Sequence, residues 1–179
     1  MPTTTQAYSR DANRIPITRN GLLVSKAVSF TADGAATAIP IFDVTGLVEI
    51  IALYGIVTTA IGSNHTAAHW RLNDHTATNV VISAASGTTI SGLPAGTLLA
   101  RIGLVATALS VVTSAAANIL DPVAATAPDL FMPVAVIQKT AGVVTHIEYV
   151  YSTNNTSLGA MTFYCGFIPL SEDGNITAS

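Results

Sequence analysis

Charged residues are scarce in this chain of 179 residues. Asp, Glu, Lys and Arg together make up 9% of it, whereas about a quarter is typical of soluble domains. Apolar residues make up 50%, and the mean hydropathy is +0.54. Interfaces of obligate oligomers are depleted in charge and have the composition of a protein core cut in half. The composition therefore favours a protein that hides additional surface in contacts between subunits.

A membrane-spanning helix is the competing explanation for so apolar a chain, and it needs about 20 continuous apolar residues. The best candidate runs from Ile102 to Leu120 and carries no charge. It is rich in Ala, Ser, Thr, Val and Gly, has few large side chains, and has no basic flank at its far end. We therefore predict strand in this segment and no membrane partner.

Cysteine is nearly absent, because Cys165 is the single one. No intrachain disulfide can form, which excludes a small scaffold stapled by disulfides. Cys165 lies in the apolar run from Met161 to Phe167, so we expect its thiol to be buried and inert. The segment from Met1 to Thr5 lacks the charged start and apolar run of a signal peptide.

The motifs of common catalytic and nucleotide-binding sites are also missing. The chain has no Gly-x-Ser-x-Gly elbow, no Gly-x-Gly-x-x-Gly and no Walker-type Gly-Lys-Ser/Thr. Glu49 and Glu148 lie in apolar segments. We expect each to pair with a basic side chain, namely Arg71, Arg101 or Lys139. The sequence thus predicts a protein that is not an enzyme and that uses no cofactor.

Three of the four histidines, His65, His69 and His75, fall within eleven residues. In a strand, His65 and His69 share a face, because side chains alternate with a period of two. Two such imidazoles, with Asp74 or His75 from the following turn, could hold a metal ion. No cysteine is near and the spacing matches no strong zinc pattern. We therefore predict no metal site and keep the three histidines as weak candidates.

Short apolar segments separated by turn residues fill the chain from Gly21 onward. This pattern predicts an all-β protein with an antiparallel β-sandwich, jelly-roll-like body. We expect a bulge or bend near Gly55 and a four-residue hairpin connection from Lys139 to Gly142. The segment from Leu98 to Val112 is predicted to form one strand, two strands or a helix, because it mixes good helix formers with Val, Thr and Ser. The predicted strands are Leu22 to Phe30, Thr37 to Phe42, Leu47 to Ile61, His65 to Leu72, Asn79 to Ser83, Leu98 to Val112, Phe131 to Gln138, Val143 to Tyr151 and Gly159 to Ile168.

Residues 1–20 lack apolar periodicity and predict an extended N-terminal arm before a single β-sandwich domain at 21–179. Proline restricts the backbone around Ile15-Pro16-Ile17 to extended conformations. Residues 1–26 carry four basic side chains and one acidic one, a charge of +3, whereas residues 27–179 carry three basic and nine acidic ones, a charge of −6. A basic arm suits an acidic partner surface. Its few, spread charges do not make the clustered face that nucleic-acid binding needs, so we expect no nucleic-acid partner.

Three runs of sequence stand out: R-D-A-N-R-I-P-I from Arg10, V-E-I-I-A-L-Y-G from Val48 and F-Y-C-G-F-I-P-L-S-E-D-G-N from Phe163. They resemble segments of small virion proteins of tailed bacteriophages. The run from Arg10 to Ile17 reads R-D-A-N-R-I-P-I and resembles their opening R-D-x-N-x-V-P. The run from Phe163 to Asn175 reads F-Y-C-G-F-I-P-L-S-E-D-G-N and resembles their ending F-Y-C-x-W-x-P-L-S-x-D-G-x-V, with Phe167 where the family has Trp. The run from Val48 to Gly55 reads V-E-I-I-A-L-Y-G and is similar to their strand V-x-I-I-x-L-x-G.

The resemblance implies a virion structural protein: a capsid decoration or cement protein, a head-fibre base, or a tail accessory protein. It does not choose between head and tail. It implies as partners the phage major capsid protein and further copies of this chain, with a homotrimer expected, located on the capsid surface after synthesis in the host bacterial cytoplasm. The residues that we expect to contact the partner all lie in the arm: Arg10, Arg14, Ile15, Pro16, Ile17 and Arg19.

Overall fold

A computed structural model describes residues 21–30, 37–62, 65–75, 79–87, 89–101, 106–108, 110–112, 134–138, 140, 142–152 and 158–179. Within these residues the chain forms eleven β-strands and no helix, which confirms the all-β prediction. The strands are β1 (Leu22–Phe30), β2 (Thr37–Thr45), β3 (Leu47–Thr59), β4 (Thr66–Asn73), β5 (Val80–Val81), β6 (Leu98–Ala100), β7 (Ser110–Val112), β8 (Val134–Ile137), β9 (Thr145–Ser152), β10 (Gly159–Pro169) and β11 (Asn175–Ala178).

Two antiparallel sheets pack face to face, so the predicted β-sandwich is confirmed. The first sheet has the order β1-β10-β3-β6-β7, with β8 also paired to β3, and the second has the order β11-β2-β9-β4-β5. Burial of the inward side chains of both sheets removes apolar surface from water, which is the main stabilising term of such a fold. The largest fully buried side chains are Trp70, Tyr149, Tyr151, Phe42, Phe163 and Phe167.

The strand pairings are nested along the chain. β4 pairs with β5, β3 with β6, β2 with β9 and β1 with β10. In the chain, each pair encloses the previous one, as in a long antiparallel hairpin. The hairpin is rolled up so that successive pairs alternate between the two sheets. This is the arrangement of a jelly roll. Strands β7, β8 and β11 are additions to this eight-strand body.

Strand β3 alternates between buried and half-buried residues, as expected for a strand with one face in the core. Two residues of β3, Ile51 and Thr58, have no partner in the register with β10 and form bulges. The bulge expected near Gly55 in this long strand thus occurs at Thr58 and at Ile51, whereas the register runs through Gly55 itself unbroken. A Cβ at Gly55 would lie 2.7 Å from Cε of Met161, so the glycine permits close packing instead.

The hairpin predicted from Lys139 to Gly142 is wrong. Strand β8 pairs with β3 in the first sheet, whereas β9 pairs with β2 and β4 in the second. The connection therefore crosses from one sheet to the other, and its described residues include an isolated bridge between Thr140 and Val143. Turn residues identify a chain reversal, but they do not say which sheet the next strand joins.

Two strands form in the segment for which one strand, two strands or a helix were predicted, and one strand of the structure was not predicted. The segment from Leu98 to Val112 contains two strands, β6 and β7, paired with each other, and the described part of the segment holds no helix. Residues 102–105 and 109 within it lie outside the described residues. Strand β11 was not predicted. It pairs with the second half of β2 and extends the second sheet by one short strand.

The crossing from β2 to β3 is a single residue, Gly46. Its φ of +58° lies in the left-handed region, which glycine adopts without a steric penalty. The Gly46 N–H donates to Oε1 of Gln138 (3.2 Å), and the Gln138 N–H donates to the Gly46 carbonyl (2.8 Å). The Leu47 N–H donates to Oγ of Ser171 (2.8 Å). The corner and the turn after β10 are thereby held together at one end of the sandwich.

Candidate interaction surface

His65 and His69 point to opposite faces of the second sheet, so the expectation that they share a face is wrong. Ala67 between them has a φ of +53°, and the register of β4 with β9 gains one extra residue between Thr66 and His69. A bulge of one residue reverses the alternation of the side chains that follow it. His65 and His69 therefore cannot form the pair of metal ligands that regular alternation predicts.

His65 is fully buried in an aromatic cluster of the core. Its Nε2 lies 3.1 Å from the hydroxyl of Tyr149, its ring stacks on Tyr151 at 3.9 Å, and Phe30 contacts it edge-on. His69 is half-buried, with Nδ1 2.9 Å from the carbonyl oxygen of Ala67. Across the described ranges of the chain, no three His, Cys, Asp or Glu side chains are placed to hold a metal ion.

The third candidate, His75, joins a polar cluster on the outer face of the second sheet. Its ring contacts that of His146 edge-on at 4.8 Å, and Nδ1 of His146 lies 2.7 Å from Oδ1 of Asp43. His75 itself has a φ of +61°, and its N–H donates to Oδ1 of Asn73. The ring contact between His75 and His146 was not visible in the sequence, because it joins positions 71 residues apart.

Glu148 lies in the same outer face and is buried beneath its neighbours. Nε of Arg71 donates to Oε2 of Glu148 at 2.6 Å, and Nδ2 of Asn73 donates to Oε1 at 2.8 Å. The predicted pairing of Glu148 with a basic residue is therefore confirmed for Arg71. Arg101 is buried elsewhere, where its Nε donates to the Ile82 carbonyl oxygen and burial lowers its pKa. The third basic residue considered, Lys139, lies outside the described residues.

Cys165 is fully buried, as predicted, on the inner face of β10. Burial raises the pKa of its thiol from 9.0 to about 12. The thiolate is the reactive form of cysteine, so this thiol is shielded both sterically and electrostatically.

The outer face of the first sheet differs in character from the polar face of the second. Among the described residues, its only charged side chain is Glu49. The other side chains of this uncharged outer face are aliphatic, aromatic or hydroxyl-bearing, and the register of β1, β3, β6, β8 and β10 places them there. They include Leu23, Ser25, Ala27, Ser29, Ala52, Tyr54, Ile56, Ala135, Ile137, Ala160, Thr162, Tyr164 and Ile168. Leu98 and Ala100 lie on the same side of the sheet but are buried.

Tyr54 and Tyr164 stand at the centre of the uncharged outer face. They are directly opposite each other on β3 and β10, with their rings stacked at 5.0 Å and 16°. Burial, and to a lesser extent the neighbouring Tyr164, raises the pKa of Tyr54. A solvated antiparallel sheet face normally carries polar and charged residues. A face with paired tyrosines and almost no charge has instead the composition of an interface core.

One end of the first sheet exposes four large apolar side chains. Leu22 is 49%, Leu23 64%, Ile137 59% and Leu170 50% exposed. They lie at the same end of the sheet because β1 and β3 start there, whereas β8 and β10 finish there. The Leu170 N–H donates to the carbonyl oxygen of Leu47, the residue that pairs with Ile137. Gly21, the first described residue, lies at this end, directly before Leu22.

The arm residues predicted to contact a partner all lie outside the described residues. They are Arg10, Arg14, Ile15, Pro16, Ile17 and Arg19. The first described strand begins at this end of the first sheet, where Leu22 pairs with Phe167 near the end of β10. Glu172 and Asp173 follow in the exposed turn beyond that strand.

Searches against protein families, curated proteins and solved structures found no match to this chain. The part of the chain that the structure describes contains no helix long and apolar enough to cross a membrane.

Proposed function

We propose that this chain is a structural protein of a tailed-bacteriophage virion, which decorates and stabilises the capsid by binding the major capsid protein as an oligomer. The observation that carries the proposal is the uncharged outer face of the first sheet, in a chain whose two ends resemble small virion proteins. Such a face is suited to burial against protein. Jelly-roll sandwiches are also a recurrent fold of viral capsid domains, although a fold alone does not specify a function.

In the proposed mechanism the arm and the sandwich have separate roles. The arm lies across an acidic part of the capsid lattice, where Arg10, Arg14 and Arg19 make charge-assisted hydrogen bonds to carboxylates. The sandwich associates with further copies, and the resemblance favours three. Several arms on one assembly then bind the lattice together, so that individually weak contacts give tight attachment. We propose no catalytic step and no cofactor.

The proposal is tested by adding the purified full-length chain to capsids that lack it and measuring co-sedimentation and the temperature at which the capsids open. We expect binding, and capsids that open at a higher temperature. The variant R10E/R14E/R19E should lose binding, whereas R10K/R14K/R19K, which keeps the charge, should retain most of it. Absence of binding by the unmodified chain would overturn the proposal.

A second candidate is a tail or head-fibre accessory protein involved in host adsorption. The hydrogen-bonded polar face around Asp43, His146, Arg71 and Glu148 favours it, because jelly-roll sandwiches also occur in lectins. Binding of the purified chain to host cells or to their surface glycans, without binding to capsids, would support this candidate over decoration. Cryo-electron microscopy of virions would separate the two by location, on the head or on the tail.

A further inference from the structure

Strand β1 forms an open edge of the first sheet. Its nine residues pair with β10 in an unbroken register from Leu22 to Phe30. In the part of the chain that the structure describes, no strand pairs with the other side of β1. Alternate residues of an edge strand direct their N–H and C=O groups away from the sheet, where they form a template for another strand.

The open edge of β1 lacks the features that normally prevent such pairing. Edge strands are usually short, or they are interrupted by a bulge, a proline or an exposed lysine. Strand β1 is long and regular and contains no proline. Its single charged residue, Lys26, turns inward, and its Nζ donates to the carbonyl oxygen of Pro40 on β2 (2.8 Å). The lysine that would guard the edge is thereby engaged within the sandwich.

The other edges of the sandwich contrast with β1. On the second sheet, β11 and β5 have four and two residues. The part of β2 that β11 leaves uncovered contains Pro40 and a bulge at Ile41. These are the usual protective features. Among the long strands that lie at an edge in the described ranges, β1 is the one that lacks them.

We infer that the open edge of β1 pairs with the β1 strand of a second copy, antiparallel and about a two-fold axis, so that two first sheets become one continuous sheet. A second β1 matches the first in length and regularity. The exposed side chains beside the edge, Ser25, Ala27 and Ser29, are small and uncharged, so they allow close approach. Main-chain hydrogen bonds along the strand supply the affinity, as in other cases of strand addition.

This inference deepens the self-association on which the proposed function rests, and it names the contact. Pairing about a two-fold axis joins copies in twos. It therefore predicts an even number of copies in solution, two in the simplest case, in place of the three that the resemblance favours. Capsid binding can succeed or fail independently of this number, so the two proposals are tested separately.

The first measurement is the mass of the full-length chain in solution by light scattering after size-exclusion chromatography. We expect twice the 18.4 kDa of one chain. In the double variant S25K/A27K, lysines from both copies face each other across the edge, and like charges directly opposite in a sheet are destabilising. We expect the dimer to weaken by roughly tenfold or more. The matched control is N175K/T177K, which adds two lysines with the same spacing at exposed positions of one strand, β11, in the second sheet.

The second measurement is disulfide crosslinking. Variants S25C and A27C, alone and mixed with each other, cover pairing centred on residue 25, 26 or 27. The native Cys165 is fully buried and does not contribute. We expect a crosslinked dimer in at least one of the three samples and none with S152C.

A monomer or a trimer would overturn the inference. A dimer would also overturn it if S25K/A27K did not weaken that dimer and the introduced cysteines did not crosslink it. A trimer that still stabilises capsids would leave the proposed function standing and remove only the β1 contact. Circular dichroism of every variant shows whether a loss of dimer reflects unfolding. For an S25K/A27K chain that unfolds, the crosslinking result decides.

Discussion

Cys165 is a buried thiol in the middle of β10, and its environment makes a prediction about pH. Because burial raises its pKa to about 12 in the folded state, the unfolded chain loses the thiol proton at lower pH than the folded chain does. The stability associated with the neutral thiol is complete below pH 9 and is lost as the pH rises toward 12. We expect the free energy of unfolding to fall by about 1 kcal/mol between pH 7 and pH 10 from this residue.

Urea unfolding of the native chain and of C165A at pH 7 and pH 10 measures this effect. C165A should be less stable than the native chain at pH 7, because it leaves a small cavity, and its stability should depend less on pH. The buried hydroxyl of Tyr149, whose pKa burial raises above its usual value, contributes in both proteins and cancels. Equal pH dependence in the two proteins would show that the Cys165 thiol is accessible to solvent.

Single residues also limit what the sequence can predict about the candidate site. The burial of Cys165 and the pairing of Glu148 with Arg71 follow from apolar strands with few available charges, and both are confirmed. The positions of His65 and His69 depend on one extra residue at Ala67. Alanine carries no signal for a positive φ, because glycine and asparagine are the usual residues there. Nothing in the sequence could therefore have placed that bulge.

At the scale of the elements, the crossing at Gly46 is a tightly constrained connection. A Cβ at Gly46 would lie 2.5 Å from Oδ1 and 2.7 Å from the carbonyl carbon of Asp173. The substitution G46A would add this clash to the cost of a positive φ. We expect it to lower the free energy of unfolding by about 2–4 kcal/mol, measured by urea unfolding.

Two other glycines separate the two contributions to this cost, the steric clash and the positive φ. Gly142 has a φ of +79°, with nothing within 4 Å of its Cβ position, so G142A should cost only about 1 kcal/mol. Gly87 has free space and no positive φ, so G87A should be close to neutral. If G46A were no worse than G142A, the turn after β10 would give way, and the corner would not be the rigid junction that its hydrogen bonds indicate.

Strand positions were easier to predict than strand partners. The bounds of β1 and the starts of β2, β3 and β10 follow from apolar runs between turn residues, and the structure places them as expected. The hairpin between β8 and β9 does not form, because both strands find longer neighbours in different sheets. Pairing in this fold is settled by contacts between residues far apart in the chain, and local turn signals do not report them.

For the whole molecule, the nested pairings predict which terminal segments the fold needs. Every pairing of the described strands involves residues from Leu22 onward, and β1 closes the outermost pair with β10. Deletion of residues 1–20 should therefore change the free energy of unfolding by no more than about 0.5 kcal/mol. Deletion of residues 1–30 removes β1, with Phe30 and its ring contacts to His65 and Tyr151. We expect that chain to show no cooperative unfolding transition by circular dichroism.

The deletion of residues 1–20 also tests whether residues 1–20 or the sandwich binds the capsid. A chain of residues 21–179 that folds normally but no longer binds capsids would assign the lattice contact to the arm. If it binds capsids as well as the full chain does, the contact lies on the sandwich, where the exposed leucines at positions 22, 23 and 170 are the next surface to substitute. If deletion of residues 1–20 unfolds the chain, the domain boundary at Gly21 is wrong. The arm would then contribute to the core, because only burial of additional apolar surface could make a sandwich with this pairing depend on it.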